Sequence, residues 1–351
     1  MAHGAGPKHP DQIVILPYRG YATRERLVLP GRVLEDEGVR PARAGEHRWR
    51  NFAAFLKRIE SDEVPYARLR ARFEGAETEL MADREGYFRL ELAVRGPRAG
   101  WNQVQFELAD DPAAKSIGRV LVPPDDARFA VVSDIDDTIV YSHVASKVRM
   151  LLTVAFSNAR TRKPFEGVAA FYRALHAGRN PFFYVSKSPW NLYVPLAEYI
   201  ELQGLPEGPL FLRNLGLRMP RDHKCVAISA LLEAYPRLPF ILIGDSGEND
   251  PEVYRDIVRR YPKRIRVIYI RSVNRHPKRL AAIEKLIAEV AKTGCQLVLA
   301  PDSEHAAAHA AAEGLMATEE LQSVRAEKKR DQNTYVPGTE LAARSGKKSA
   351  A

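Results

Sequence analysis

Phe129-Ala130-Val131-Val132-Ser133-Asp134-Ile135-Asp136-Asp137-Thr138 carries two signals at once. The nearly continuous apolar run from Phe129 to Val132 has the pattern of a strand buried on both faces, as in a parallel sheet. It runs straight into three carboxylates. Ligands of open α/β sheets bind beyond the carboxyl ends of the strands, so this is where chemistry is expected. Carboxylates crowded there are costly unless a cation or a proton offsets them. Asp134 and Asp136 stand two residues apart at the strand end, so one can attack a phosphorus atom and hold a metal while the other moves a proton. A solvated acidic loop also accounts for this segment taken alone.

Downstream, further apolar runs at 181–185, 239–243, 266–270 and 296–299 alternate with helical spacing at 165–178, 190–203, 224–235 and 251–261. This alternation predicts a parallel sheet covered by helices. Two more runs end in chemistry-bearing residues. The second opens into Ser186-Lys187-Ser188-Pro189-Trp190, where Ser188 before Pro189 predicts a helix N-cap and amides aimed at an anion. The third ends in Gly244-Asp245-Ser246-Gly247-Glu248-Asn249-Asp250, a second acidic strand end whose hard oxygens suit Mg²⁺. Between them Lys224 starts a helical run, a position the helix dipole disfavours. It must gain a phosphate or a carboxylate in return.

Upstream, residues 12–125 read as mostly β. Short apolar runs at 13–18 and 26–34 are followed by a partly helical stretch at 46–61. Segments 66–73 and 87–94 alternate apolar with charged residues, as half-buried antiparallel strands do, and a further strand is expected at 103–108. A small β-sandwich is the expected architecture, bounded by Pro123-Pro124. The expected organisation is a β-sandwich at 12–125, an α/β domain at 126–315 and a polar mobile tail at 316–351.

In order along the chain, Asp134-x-Asp136-x-Thr138, Ser186, Lys224 and Gly244-Asp245 with Asp250 resemble the signature of the haloacid dehalogenase superfamily, over about 128–275. The resemblance implies a Rossmann-like domain and Mg²⁺-dependent phosphoryl transfer through an aspartyl-phosphate. The segments 134–139, 185–193 and 243–254 look more closely like the catalytic domain of the actin-patch-associated phosphatidate phosphatases. The segments 17–21 and 31–34 look like bacterial members with an added β domain. On this resemblance Asp134 is the nucleophile and a metal ligand. Asp136 is the general acid/base, with its carbonyl facing the metal. Thr138 supports the loop, Ser186, Lys187 and Ser188 hold the phosphoryl group, and Lys224 binds it while offsetting Asp134. Asp245 and Asp250 are the remaining acidic candidates for the metal, with the direct ligand left open between them. The implied substrate is phosphatidate and the implied products are diacylglycerol and phosphate.

The 351 residues hold 53 Lys plus Arg against 44 Asp plus Glu, a net charge of +9. That excess favours anionic partners without choosing among phosphate esters, lipid surfaces and nucleic acid. A phosphatase for a soluble or nucleic-acid phosphomonoester, and a catalytically silent lipid- or phosphate-binding module, are therefore the competing readings. No run of about 18 apolar residues predicts a transmembrane helix, and residues 1–10 lack the apolar core of a signal peptide. A cytoplasmic protein touching a membrane from outside is expected, with Cys225 and Cys295 as free thiols. Val144, Val148, Leu151, Leu152 and Ala155 share one helical face. A helix packed on the catalytic domain is the favoured reading of 141–156, and a membrane-facing lid is the alternative.

Overall fold

The computed structural model describes residues 12–36, 63–135, 166–213, 223–273 and 276–333. The stretch expected to be partly helical at 46–61, the segment 141–156 and the residues Asp136 and Thr138 lie outside them.

The first half is antiparallel for the most part. Its strands are β1 (Gln12–Pro17), β2 (Gly20–Ala22), β3 (Arg26–Asp36), β4 (Arg68–Phe73), β5 (Ala76–Met81), β6 (Tyr87–Ala93), β7 (Gly100–Leu108) and β8 (Lys115–Val122). They form one sheet in the order β1-β3-β2-β8-β7-β4-β5, with β6 paired to β3. The expected two-layer sandwich thus takes another form: a single continuous sheet whose distant strands β5 and β6 return into contact. The sheet encloses one apolar core, including Leu27, Leu29, Leu69, Phe88, Phe106 and Val120. The alternation seen in the sequence has its cause here. In β4 Leu69, Ala71 and Phe73 point into that core, while Arg70 and Arg72 pair outside with Glu77 and Glu107 on the neighbouring strands. Opposite charges across strands favour this register over a one-residue slip.

The second half is a parallel sheet of six strands, β9 (Ala130–Asp134), β10 (Phe182–Pro189), β11 (Leu210–Arg213), β12 (Phe240–Asp245), β13 (Ile265–Arg271) and β14 (Gln296–Ala300). Their order is β11-β10-β9-β12-β13-β14, so the chain winds one way from β9 and then the other. The reversal falls at β9, which opens a crevice beyond its carboxyl end. The helices are α1 (Val168–His176), α2 (Tyr193–Leu202), α3 (His223–Ala234), α4 (Asp250–Arg260), α5 (Pro277–Ala291), α6 (Ser303–Ala312) and α7 (Glu320–Asn333). Two apolar layers cover the sheet. Val131 of β9 joins Phe171 and Leu175 of α1, Leu196 of α2 and Ala307 of α6. Ala130 and Val132 join Ile228 and Leu231 of α3, Ile257 of α4 and Ile283 of α5. Alternate residues of one strand thus feed opposite layers. Both cysteines are free thiols.

The expectation of a mobile tail from residue 316 is corrected in part. Met316 is buried, and α7 packs with α1 and α6 through Val324, which is fully buried. The physical reason is an unusual cap. Helix α1 follows Gly167, whose φ of 76° provides no side-chain cap; a Cβ there would lie 2.9 Å from the Val324 carbonyl. The exposed amides are met from α7 instead: Gly167 N–H donates to Asp331 Oδ2 at 3.0 Å and Ala170 N–H to Glu327 Oε1 at 2.7 Å. Carboxylates at a helix N-terminus also complement its dipole. A polar helix 14 residues long therefore docks by serving another helix's backbone. Glu327→Ala should lower the unfolding free energy by about 1–2 kcal/mol, the usual worth of a cap. A shifted urea midpoint with unchanged slope would register it, and an unchanged midpoint would contradict this docking.

Candidate active site

Register alone gathers the strand ends. Asp134 on β9 pairs with Val185 on β10, and Ser133 pairs with Ile243 on β12. Ser186 follows Val185 within β10, and Asp245, two residues beyond Ile243, closes β12, so Asp134 and Asp245 reach one crevice with Ser186 on the adjacent strand. Ile135 N–H donates to Asp134 Oδ1 at 2.8 Å, which fixes the carboxylate as the chain leaves the strand.

Lys224 stands at the centre. It lies in the first turn of α3 with its side chain 4% exposed. Its Nζ is 2.8 Å from Asp134 Oδ2, 2.6 Å from Asp250 Oδ1 and 3.0 Å from Glu248 Oε2. An ammonium group has three protons to donate, and here each finds a carboxylate. This is the compensation that its unfavourable place in the helix dipole demanded. Lys187, on the more exposed side, reaches the same Glu248 oxygen at 2.7 Å.

The loop after β12 shapes the acidic side. Asp245 Oδ1 accepts from the N–H groups of Gly247 at 2.7 Å and Glu248 at 3.1 Å. Asp250 opens α4 fully buried, and its Oδ2 accepts from Asp245 N–H at 3.1 Å. Gly244 makes this possible, because a Cβ there would lie 2.3 Å from Asp250 Oδ2 and 2.8 Å from its Cβ. Arg279 of α5 grips the loop from behind: its guanidinium donates to the Ser246 and Glu248 carbonyls and to the Glu252 carboxylate. Arg279 and Glu248 carry no local sequence signal of these contacts: Glu248 stands within the acidic loop 244–250, and its distance from Lys187 and Lys224 along the chain hides the pairing.

Carboxylate oxygens of Asp134, Asp245 and Asp250 all lie within 4.8 Å of one another. Burial pushes the Asp134 carboxyl well above its ordinary range, and neighbouring Asp250 pushes it further, against the pull of Lys224. Burial also raises Asp250, with Lys224 opposing. Burial acts on Glu248 in the same sense but is outweighed by Lys187 and Lys224, so its carboxyl titrates below the ordinary value. Four carboxylates thus face two ammonium groups, a surplus of negative charge held by oxygen donors alone. That donor set fits a hard divalent cation such as Mg²⁺, which takes few carboxylates and keeps its waters.

On the β10 side the structure corrects one expectation. Ser188 is not a helix N-cap: β10 runs on to Pro189, a 3₁₀ turn follows at Trp190–Leu192, and α2 begins only at Tyr193. Ser186 Oγ accepts the Ser188 N–H at 2.9 Å and turns the backbone there. The Ser188 hydroxyl is buried without a hydrogen-bond partner among the described residues, an arrangement that suits an oxygen-rich ligand. Beside Asp134 and Asp245 lies a cavity of about 80 Å³, walled by Phe171, Tyr172, Tyr269 and Ala306, with Arg271, Asp302 and Ser303 also lining it. Among the expected site residues, the structure joins Asp134, Lys224, Asp245 and Asp250 directly, and links Lys187 to them through Glu248. Ser186 and Ser188 sit at the end of the adjacent strand.

Residues 129–272 match the family model of the phosphatidate phosphatase APP1 catalytic domain. The chain is 32% identical over 169 residues to phosphatidate phosphatase APP1 of Saccharomyces cerevisiae, across 46% of this chain and 28% of the yeast protein. It is 25% identical over 239 residues to the uncharacterized protein C29B5.04c of Schizosaccharomyces pombe, across 63% of this chain and 40% of that one. The matches thus span less than half the length of these curated relatives. A solved carbohydrate acetylesterase from Xanthomonas citri covers 78% of this chain, and 72% of its own chain is covered, with a TM-score of 0.25 and 10% identity, a likeness too slight to bear on the fold. The segment 129–272, which carries Asp134, Lys224, Asp245 and Asp250, is the part of the chain that is similar to the phosphatidate phosphatase APP1 catalytic domain.

Proposed function

We propose that this protein is a Mg²⁺-dependent phosphatidate phosphatase of the haloacid dehalogenase type, hydrolysing phosphatidate to diacylglycerol and phosphate through a phosphorylated Asp134. The observation that carries this reading is the buried Lys224 ammonium shared by Asp134 and Asp250, within the segment that matches the APP1 catalytic domain. The strand order and the crevice at β9 support the Rossmann-like assignment.

In the first half of the reaction Asp134 attacks phosphorus and the bond to the glycerol oxygen breaks. Asp136, two residues on, gives its proton to the leaving alkoxide. In the second half Asp136 takes a proton from water, the water oxygen attacks phosphorus, and Asp134 leaves as a carboxylate with inorganic phosphate. Lys224 opposes the effect of burial on Asp134 and aims its carboxylate, and its charge offsets that of the phosphoryl oxygens. Ser186, Lys187 and Ser188 bind those oxygens from the β10 side, and Thr138 steadies the loop. Asp134, Asp136, Asp245 and Asp250 would hold Mg²⁺, which supplies charge neutralisation at the phosphoryl group.

A water needs about 10–15 Å³ of such cavity space, so about 80 Å³ suits a phosphoryl group and a short alcohol. The acyl chains would stay outside, at a membrane surface that a net charge of +9 would favour. No helix among the described residues is long and apolar enough to cross a membrane. In this reading residues 12–125 form an accessory β domain and 126–333 the catalytic domain.

Purified protein should release phosphate from phosphatidate in mixed micelles when Mg²⁺ is present, and a chelator should abolish it. A preference for soluble phosphomonoesters would keep the phosphatase and remove the lipid, whereas release from no ester would favour a binding module. Asp134→Asn should cost at least about a thousandfold in kcat, and retained turnover would contradict a nucleophilic Asp134. Gly244→Ala should keep its circular dichroism yet lose activity by about a hundredfold, since displacing a site group by 1 Å costs that much. Glu248→Gln should raise KM by about tenfold, the worth of one charge-assisted bond, and an unchanged KM would deny Glu248 a role in aligning the lysines.

A further inference from the structure

The segment that would hold the phosphoryl group is not fixed by its own sheet. Pairing of β10 with β11 runs through Val185↔Phe211, lapses, and resumes at Pro189↔Arg213. Ser186, Lys187 and Ser188 fall in the lapse. Their backbone has the Ser186 Oγ bond to Ser188 N–H inside it, and Lys187 is tied to Glu248 on one side; a further anchor lies on the other.

That anchor comes from the antiparallel sheet. Between β1 and β2 the chain turns a corner at Tyr18 and Arg19, and the corner enters the core of the other sheet. Tyr18 is 2% exposed and belongs to the apolar layer that holds Phe171 and Leu196. Its ring lies parallel to Trp190, 5.0 Å between centroids and 2° between planes, and stacks on Tyr193 at 4.1 Å. Trp190 directly follows Pro189. Arg19 N–H donates to Tyr193 Oη at 2.6 Å, and the Arg19 and Arg119 guanidinium groups share Glu207 at 2.9 and 2.6 Å. Three residues on, Tyr21 lies in the opposite apolar layer, against Phe211 of the edge strand β11 at 5.7 Å. Tyr235 Oη donates to the Ala22 carbonyl at 3.1 Å on that same side. Residues 18–22 therefore straddle the β11 edge, with one ring on each face.

We infer that Tyr18 is a positioning residue: through Trp190 and Tyr193 it fixes the phosphate-binding segment 186–188. The antiparallel sheet then serves the site as a brace. Flat rings stacked in a buried layer hold orientation better than aliphatic side chains do, because offset aromatic faces have preferred geometry. The brace rests on the packing and hydrogen bonds of the two sheets, and only its kinetic consequence rests on the phosphatase reading.

The test uses the full chain and reads amide hydrogen exchange across 186–193 by mass spectrometry, alongside KM and kcat for Mg²⁺-dependent phosphate release. Tyr18→Leu should speed exchange in that segment by about tenfold, while Tyr18→Phe stays at the original rate. Tyr235→Phe, which removes the hydrogen bond to the Ala22 carbonyl on the opposite side of the junction, should leave the segment unchanged. Should Tyr18→Leu fail to fold, Tyr18→Met keeps bulk without a flat ring and should show the same acceleration. KM should rise about tenfold in the Leu or Met variant, with kcat within about threefold, and return in the Phe variant; both figures lie below the hundredfold cost of a 1 Å displacement. Unchanged exchange in a folded variant overturns the proposal whatever the activity. Faster exchange with unchanged KM overturns the positioning role, because the segment held by Tyr18 would then not bind the phosphoryl group. A protein inactive on every ester, yet with the expected exchange pattern, would sink the phosphatase reading and uphold Tyr18 as the residue that fixes the segment.

Discussion

A lysine ammonium buried among carboxylates is the constraint on which this site depends. Lys224 is almost wholly withdrawn from water and satisfies its charge on Asp134, Asp250 and Glu248. Removing one member of such a buried cluster strands its partners, which costs far more than an exposed pair is worth. Each member comes from a different part of the chain: Asp134 from the end of β9, Lys224 from α3, Glu248 and Asp250 from the loop and helix after β12. Strand register brings the first and last together, and α3 carries the lysine over them.

The cluster is deliberately unbalanced. Its carboxylates outnumber its ammonium groups, and burial opposes the ionisation of Asp134 and Asp250. A site built this way is stable only with further positive charge beside it, or with a shared proton. Gly244 and Arg279 pay for the crowding in geometry: one leaves room for the Asp250 side chain, the other clamps the loop that carries it. In the proposed reading the same surplus would otherwise repel a phosphate ester, so a cation and the binding of that ester would be one electrostatic problem.

Much of this is legible in the residues themselves. Apolar runs ending in Asp134 and Asp245 announce buried strands with chemistry at their carboxyl ends, and a lysine opening a helix at Lys224 announces a missing partner. Other features are invisible because their cause is long-range. Ser188 before Pro189 has the local form of a cap, yet β10 continues past it to pair with Arg213. The polar composition of 320–333 reads as solvated chain, yet Glu327 and Asp331 serve the backbone of α1 more than 150 residues earlier. Strand alternation in the first half specifies which side chains face the core but not that one sheet would curl over it. Nothing in Tyr18 tells that it lies against Trp190, because stacking is set by the meeting of two sheets.

The central claim is that Asp134 forms a covalent bond to phosphorus. It is tested most directly by mixing the protein with phosphatidate labelled in its phosphate, quenching in acid within one turnover, and locating the label by peptide mass. The account predicts an acid-stable, hydroxylamine-sensitive label on Asp134. Phosphate released at full rate with no labelled protein at any time, or a label on another residue, would contradict it.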